Sequence, residues 1–155
     1  EDPTGRPDLE EKKEDRFRSR YLDAPNGALY PFGFGLTYTR FRVSPVQLDS
    51  SVLHPGETLK ASVILENTGS RQGTETLQLY IRDVSASVVR PVKELRDFRK
   101  VTLLPGESRE VTFEIREEQL RFWRADGTFG SEKGRFQVFI GQDSSVREFE
   151  NFELL

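Results

Sequence analysis

Carboxylates are the one chemically capable group this sequence holds in quantity: 26 Asp and Glu among 155 residues, against a single His and no Cys. Two carboxylates facing each other across a glycosidic bond, roughly 5–9 Å apart, are enough for hydrolysis. One of the pair must lie in apolar surroundings that raise its pKa. The Asp and Glu residues here fall in turns and at alternating strand positions, so none is nominated. Any Ser-His-Asp relay would have to use His54, which directly precedes Pro55-Gly56 and reads as a surface turn residue. There is no His-x-x-x-His, Cys pair or Asp-x-Asp-x-Asp-Gly loop to hold a metal. Gly33-x-Gly35 lacks the third glycine, preceding strand and following helix of a phosphate loop. The reading therefore assigns no catalytic, cofactor-binding or metal residue and expects no cofactor. Trp123, the only Trp, is the one candidate for stacking on a sugar ring, against the alternative of ordinary core or edge packing. Asn67-Thr68-Gly69 is not a glycosylation sequon.

Composition narrows the partners. A net charge of −3 with mixed signs offers no broad field for nucleic acid or an anionic membrane, so neither is expected. No apolar run approaches the roughly 20 residues of a membrane span. A chain of this length buries roughly 70% of its unfolded surface on folding. With twelve Phe, four Tyr and one Trp, an aromatic-rich core is expected. The absence of Cys leaves the compartment open, and the absence of any Met together with a charge-rich start suggests a piece of a longer polypeptide.

The elements follow from periodicity. Residues 1–37 read as an extended linker arm. Its first twenty are dominated by charge, with Leu9 and Phe17 too far apart to support more than a weak helical turn. From Tyr21 to Tyr38 aromatics alternate with Gly and Pro, and Pro25-Asn26-Gly27 marks a turn. Phe32, Phe34 and Tyr38 supply area to bury while Gly33 and Gly35 permit close backbone approach. Such a segment either packs on its own domain or docks on a neighbouring one.

Residues 38–155 read as an all-β, antiparallel two-sheet sandwich of about seven short strands, of the fibronectin type III or immunoglobulin kind. The apolar alternations are Phe41 to Leu48 broken at Pro45, Leu59 to Leu65, Leu77 to Ile81, Leu95 to Leu103, Val111 to Ile115, Phe136 to Ile140 and Phe149 to Leu154. The irregular period of the fourth predicts a bulge. Glu117-Glu118-Gln119-Leu120 has room for one helical turn. His54-Pro55-Gly56-Glu57 and Leu104-Pro105-Gly106-Glu107, fifty residues apart, predict two similar type II turns, since Pro fixes the first φ and Gly accepts a positive second one.

Three stretches together, in order and spacing, resemble the C-terminal part of family 3 glycoside hydrolases. They are Thr4-Gly5-Arg6-Pro7, Ala28 to Thr39 (Ala-Leu-Tyr-Pro-Phe-Gly-Phe-Gly-Leu-Thr-Tyr-Thr), and Arg90 to Val101 running into Leu104-Pro105-Gly106-Glu107. Glu66-Asn67-Thr68-Gly69, Gln78-Leu79-Tyr80, Phe139-Ile140-Gly141 and the closing Phe152 to Leu155 extend the likeness along the chain. The resemblance implies a fibronectin type III-like domain from a retaining periplasmic or secreted β-glucosidase whose catalytic residues lie in other domains. It also implies that the partners are those catalytic domains, and a homodimer formed through the parent. Tyr30, Phe32, Phe34, Tyr38, Arg90 and Phe98 are then the expected interdomain contacts, with Arg90 placed to anchor a carboxylate across the interface. A glycan held on Trp123 is the alternative partner.

Overall fold

The computed structural model describes residues 28–155. The motif Thr4 to Pro7, the helical turn at Leu9 to Phe17 and the turn at Pro25-Asn26-Gly27 lie outside the described residues, as does most of the 1–37 arm. The described strands are β1 (Phe41–Val43), β2 (Gln47–Leu48), β3 (Val52–Leu53), β4 (Thr58–Asn67), β5 (Gly73–Asp83), β6 (Glu94–Leu103), β7 (Ser108–Arg116), β8 (Phe122–Trp123), β9 (Phe129–Gly130), β10 (Gly134–Gly141) and β11 (Glu150–Leu154). A 3-10 turn, Glu117–Leu120, stands where the polar tetrapeptide has room for it.

Two sheets pack face to face. In one, β4 carries β1 and β2 along one edge and β7 along the other. The second runs β3-β11-β10-β5-β6. The seven expected alternations return as β1 with β2, then β4, β5, β6, β7, β10 and β11. Three short additions (β3, β8, β9) are too brief to show a period. One pairing departs from the antiparallel expectation: β3 runs parallel to β11, because after β2 the chain crosses between the sheets and lies beside the last strand in the same direction. The break at Pro45 separates β1 from β2, since proline has no N–H for the ladder. The predicted bulge lies in β6, where Leu79 pairs with Asp97 but Tyr80 with Leu95, leaving Arg96 as the extra residue.

Inward positions of period 2 form the core. Leu59, Ala61, Val63 and Leu65 of β4 with Val111, Phe113 and Ile115 of β7 face Leu77, Leu79 and Ile81 of β5 and Phe136, Val138 and Ile140 of β10. Among the described residues of this cluster, only Phe113, Phe136 and Phe152 are aromatic, so the core is aliphatic rather than aromatic-rich. The narrow space between the sheets takes Leu, Val and Ile at alternate positions, and most of the remaining aromatic area lies elsewhere. Phe136 and Phe152 sit directly opposite in the β10–β11 ladder with rings stacked at 5.4 Å.

Both Pro-Gly turns adopt the expected form. Gly56 has φ +87° and Gly106 has φ +75°. Glu57 N donates to His54 O and Glu107 N to Leu104 O, each at 3.0 Å. In both, the glutamate side chain reaches back to accept from the backbone N–H that opens the turn.

Candidate interdomain surface

The candidate site lies on the outer face of the five-stranded sheet. Because Leu77, Leu79 and Ile81 point into the core, Gln78 and Tyr80 point away from it, where alternation alone predicts solvent. Both are nonetheless buried. Three loops cover them: 30–35, 91–93 and 142–149.

Pro31 to Phe34 forms a turn closed by Phe34 N donating to Pro31 O at 3.0 Å, with Gly33 at φ +82°. A Cβ on Gly33 would lie 2.3 Å from the Gln78 amide, so glycine is needed both for its φ and for contact with the sheet. Gln78 Nε2 donates to Gly33 O at 3.3 Å and Gln142 O at 2.7 Å, and its Oε1 accepts from Tyr80 Oη. Ser144 N donates to Phe32 O, joining two of the loops. Lys93 completes the layer: its ammonium lies 4.9 Å from the Phe139 ring centroid and 5.5 Å from that of Tyr80, and donates to Val146 O at 2.6 Å. Phe139 in turn meets Phe149 at 5.4 Å.

Above this layer the aromatic rings stand in solvent. Exposure runs from 45% at Phe34 through 63% at Phe32 to 65% at Tyr30, and Tyr30 packs on Phe34 at 5.1 Å. Phe98 joins them from β6, because the register sets it directly beside Gln78 and leaves its ring exposed. The backbone of the 30–35 segment thus packs on its own sandwich, the first of the two sequence alternatives, while its aromatic side chains stay exposed. Tyr38, 94% exposed, lies farther along, between Thr37 and Thr39, which pack against Gly73 at the start of β5.

Arg90 is placed differently from expectation. Its guanidinium pairs with Glu94 of the same chain and lies 4.2 Å from the Phe122 ring centroid, with the side chain only 12% exposed. The carboxylate it anchors is internal, because the loop before β6 folds back and brings positions i and i+4 together. Trp123 is not in the core: it stands exposed on the two-stranded β8–β9 hairpin, its ring against Phe129 of the neighbouring strand.

Residues 75–144 match the model of the fibronectin type III-like domain. The sandwich is a fibronectin type III-like domain. Over 152 residues the chain is 47% identical to a periplasmic β-glucosidase of Salmonella typhimurium, covering 98% of this chain and 20% of the relative. It is 34% identical to a β-xylosidase of Formosa agariphila, covering 88% of this chain and 19% of that protein. In structure it superposes on a Listeria innocua β-glucosidase solved with glucose at a TM-score of 0.86 and 40% identity, over 97% of this chain and 21% of that one. The fibronectin type III-like chain therefore spans about a fifth of the length of the relatives it matches, and resembles the C-terminal region of family 3 β-glucosidases.

Four of the sequence blocks that carry this likeness converge on the outer face. Gly33, Gln78, Tyr80, Lys93 and Phe139 belong to four separate blocks and meet there. Gln78 and Lys93 escaped sequence reasoning because a polar residue on an alternating strand, or in a loop, reads as solvated. The only signal was the density of aromatics around them.

Among the described carboxylates, burial pushes the Asp83 carboxyl up, opposed by a hydrogen bond from Ser85 N and by the charge of Arg90. Sequence patterning did not single it out. It lies at the end of β5, and Glu94 and Glu132 act on it as like charges. Glu117 is held down by hydrogen bonds from Arg121 and Ser131.

Proposed function

We propose that this chain is the non-catalytic structural module of a family 3 β-glucosidase, packed through the outer face of its five-stranded sheet against the catalytic domains of the same polypeptide. The observation that carries the reading is the aromatic rim of Tyr30, Phe32, Phe34 and Phe98, exposed on a layer that Gln78 and Lys93 hold in place. Large apolar rings gathered on one face mark an interaction surface, and pre-ordering that surface lowers the entropy lost on docking. Tyr38 extends the surface toward the start of β5. Arg90 supports it only from within, through Glu94 and Phe122.

Tyr30, Phe32 and Phe34 precede the first strand of the sandwich, so a domain preceding this one in the same polypeptide would be tethered on the rim's side of the sequence. The parent would release terminal β-D-glucosyl residues with retention from a periplasmic or secreted location, in line with the glucosidases among the relatives, and would form any homodimer through its own surfaces. In this reading the module orients and stiffens the enzyme.

Replacing Tyr30, Phe34 and Phe98 by Ser in the full-length parent is expected to lower its melting temperature, while the same changes leave the melting temperature of the 155-residue chain nearly unchanged. If the parent melts as before, the docking reading fails.

A further inference from the structure

The β8–β9 hairpin carries a second aromatic surface, built from other residues. Its register sets Trp123 opposite Phe129 and Phe122 opposite Gly130, so the two faces of the hairpin differ. On the inner face, Phe122 is buried against the Arg90 guanidinium, and Gly130 leaves room for Arg124, whose Nη2 would lie 2.7 Å from a Cβ there. On the outer face Trp123 and Phe129 remain 69% and 57% exposed, with ring centroids 5.4 Å apart and planes inclined at 55°.

The turn between them, Arg124-Ala125-Asp126-Gly127-Thr128, is polar or small. Arg124 N donates to Thr128 O at 2.9 Å, Asp126 Oδ1 accepts from both Thr128 N and Thr128 Oγ1, and Gly127 takes φ +79°. The two rings are held on a short, well-bonded turn.

Size decides what such a surface can hold. The two rings together expose roughly 300 Å², below the ~500 Å² that each partner contributes to a stable contact with a second copy or another protein. One hexose is about the size of either ring. We propose that Trp123 and Phe129 form a stacking platform for a β-linked glucan. A β-glucosyl unit has all its hydroxyls equatorial, which leaves axial C–H bonds on both faces of the ring. One such face would lie on the indole, whose π cloud attracts the weakly positive hydrogens, while Phe129 walls the edge. The docking surface on the five-stranded sheet plays no part in this site.

Trp123, the sole Trp, reports on the site directly. Its emission would be titrated with cellotriose, and in parallel with maltotriose and sorbitol. Cellotriose is expected to give a saturable change with a Kd of about 1 mM or weaker, and Phe129→Ala to weaken binding about tenfold. Phe129→Leu, which keeps apolar cover on the hairpin, should also weaken binding while the melting temperature stays close to that of the unaltered 155-residue chain. No saturable change up to about 50 mM, or an equal response to maltotriose or sorbitol, overturns the proposal. So does an emission change that depends on protein concentration without sugar, which would mean that the rings meet a second copy.

Discussion

Asn67 is buried at the end of β4 with its side chain fully engaged. Nδ2 donates to Arg71 O at 2.7 Å and Leu103 O at 3.1 Å, and Oδ1 accepts from Thr39 Oγ1 at 2.6 Å and Gly69 N at 3.1 Å. Its backbone pairs with Gly106 and Glu107 of the second Pro-Gly turn. One residue thus ties the entry to β1, the 67–71 turn and the β6–β7 corner. Asn67→Ala would strand the buried Leu103 carbonyl and the part-buried Arg71 carbonyl, Thr39 hydroxyl and Gly69 N–H, and buried unsatisfied groups cost about 1–3 kcal/mol each. A loss of about 3 kcal/mol is expected, seen as a melting temperature lower by roughly 10 °C. In the sequence this residue showed only that it is not a sequon and that it belongs to a short block of the family likeness. Its four partners are up to 36 positions away, and no local pattern encodes them.

At the scale of elements, the 3-10 turn and the hairpin are joined by one carboxylate. Glu117 accepts from Arg121 Nη2 at 2.6 Å and from Ser131 Oγ, so the turn is pinned to the segment that follows β9. These hydrogen bonds hold its ionisation below the ordinary glutamate range. The folded state therefore binds fewer protons at this site than the unfolded state does. The stability it contributes is present above the ordinary glutamate value and is lost as pH falls through the lowered one. Asp83, pushed up by burial, acts in the opposite sense and favours the folded state as it protonates. Urea midpoints measured between about pH 7 and about pH 3 are expected to fall less steeply for Glu117→Gln than for the unaltered chain. Equal slopes would mean that Glu117 does not couple folding to protons. The turn itself was readable from Glu-Glu-Gln-Leu after a strand, whereas β8 and β9 were not, since two-residue strands have no measurable period.

Across the whole molecule, stability should be graded. β4, β5 and β10 are flanked by strands on both sides, while the segment from Ala28 to Tyr38 is held by single hydrogen bonds and the Gly33 contact. Native-state amide exchange is expected to place the deepest protection in β4, β5 and β10 and the shallowest in 28–38. Protection at Phe34 N equal to that of β5 would show that the outer layer opens only with the core.

The sandwich, its seven principal strands, the break at Pro45, the bulge in β6 and both Pro-Gly turns were determined by the sequence itself, because each rests on short-range chemistry: alternation of side chains, a missing N–H, or a glycine at positive φ. The likeness to family 3 glycosidases was also legible, since it resides in contiguous blocks. Only the tertiary structure decided that the core is aliphatic and that Gln78 and Lys93 are covered on the outward face. It also placed the carboxylate of Arg90 at Glu94 and set Trp123 beside Phe129. These depend on which distant segments the register and the loops bring together, and burial is a property of that assembly, which no single stretch of chain contains.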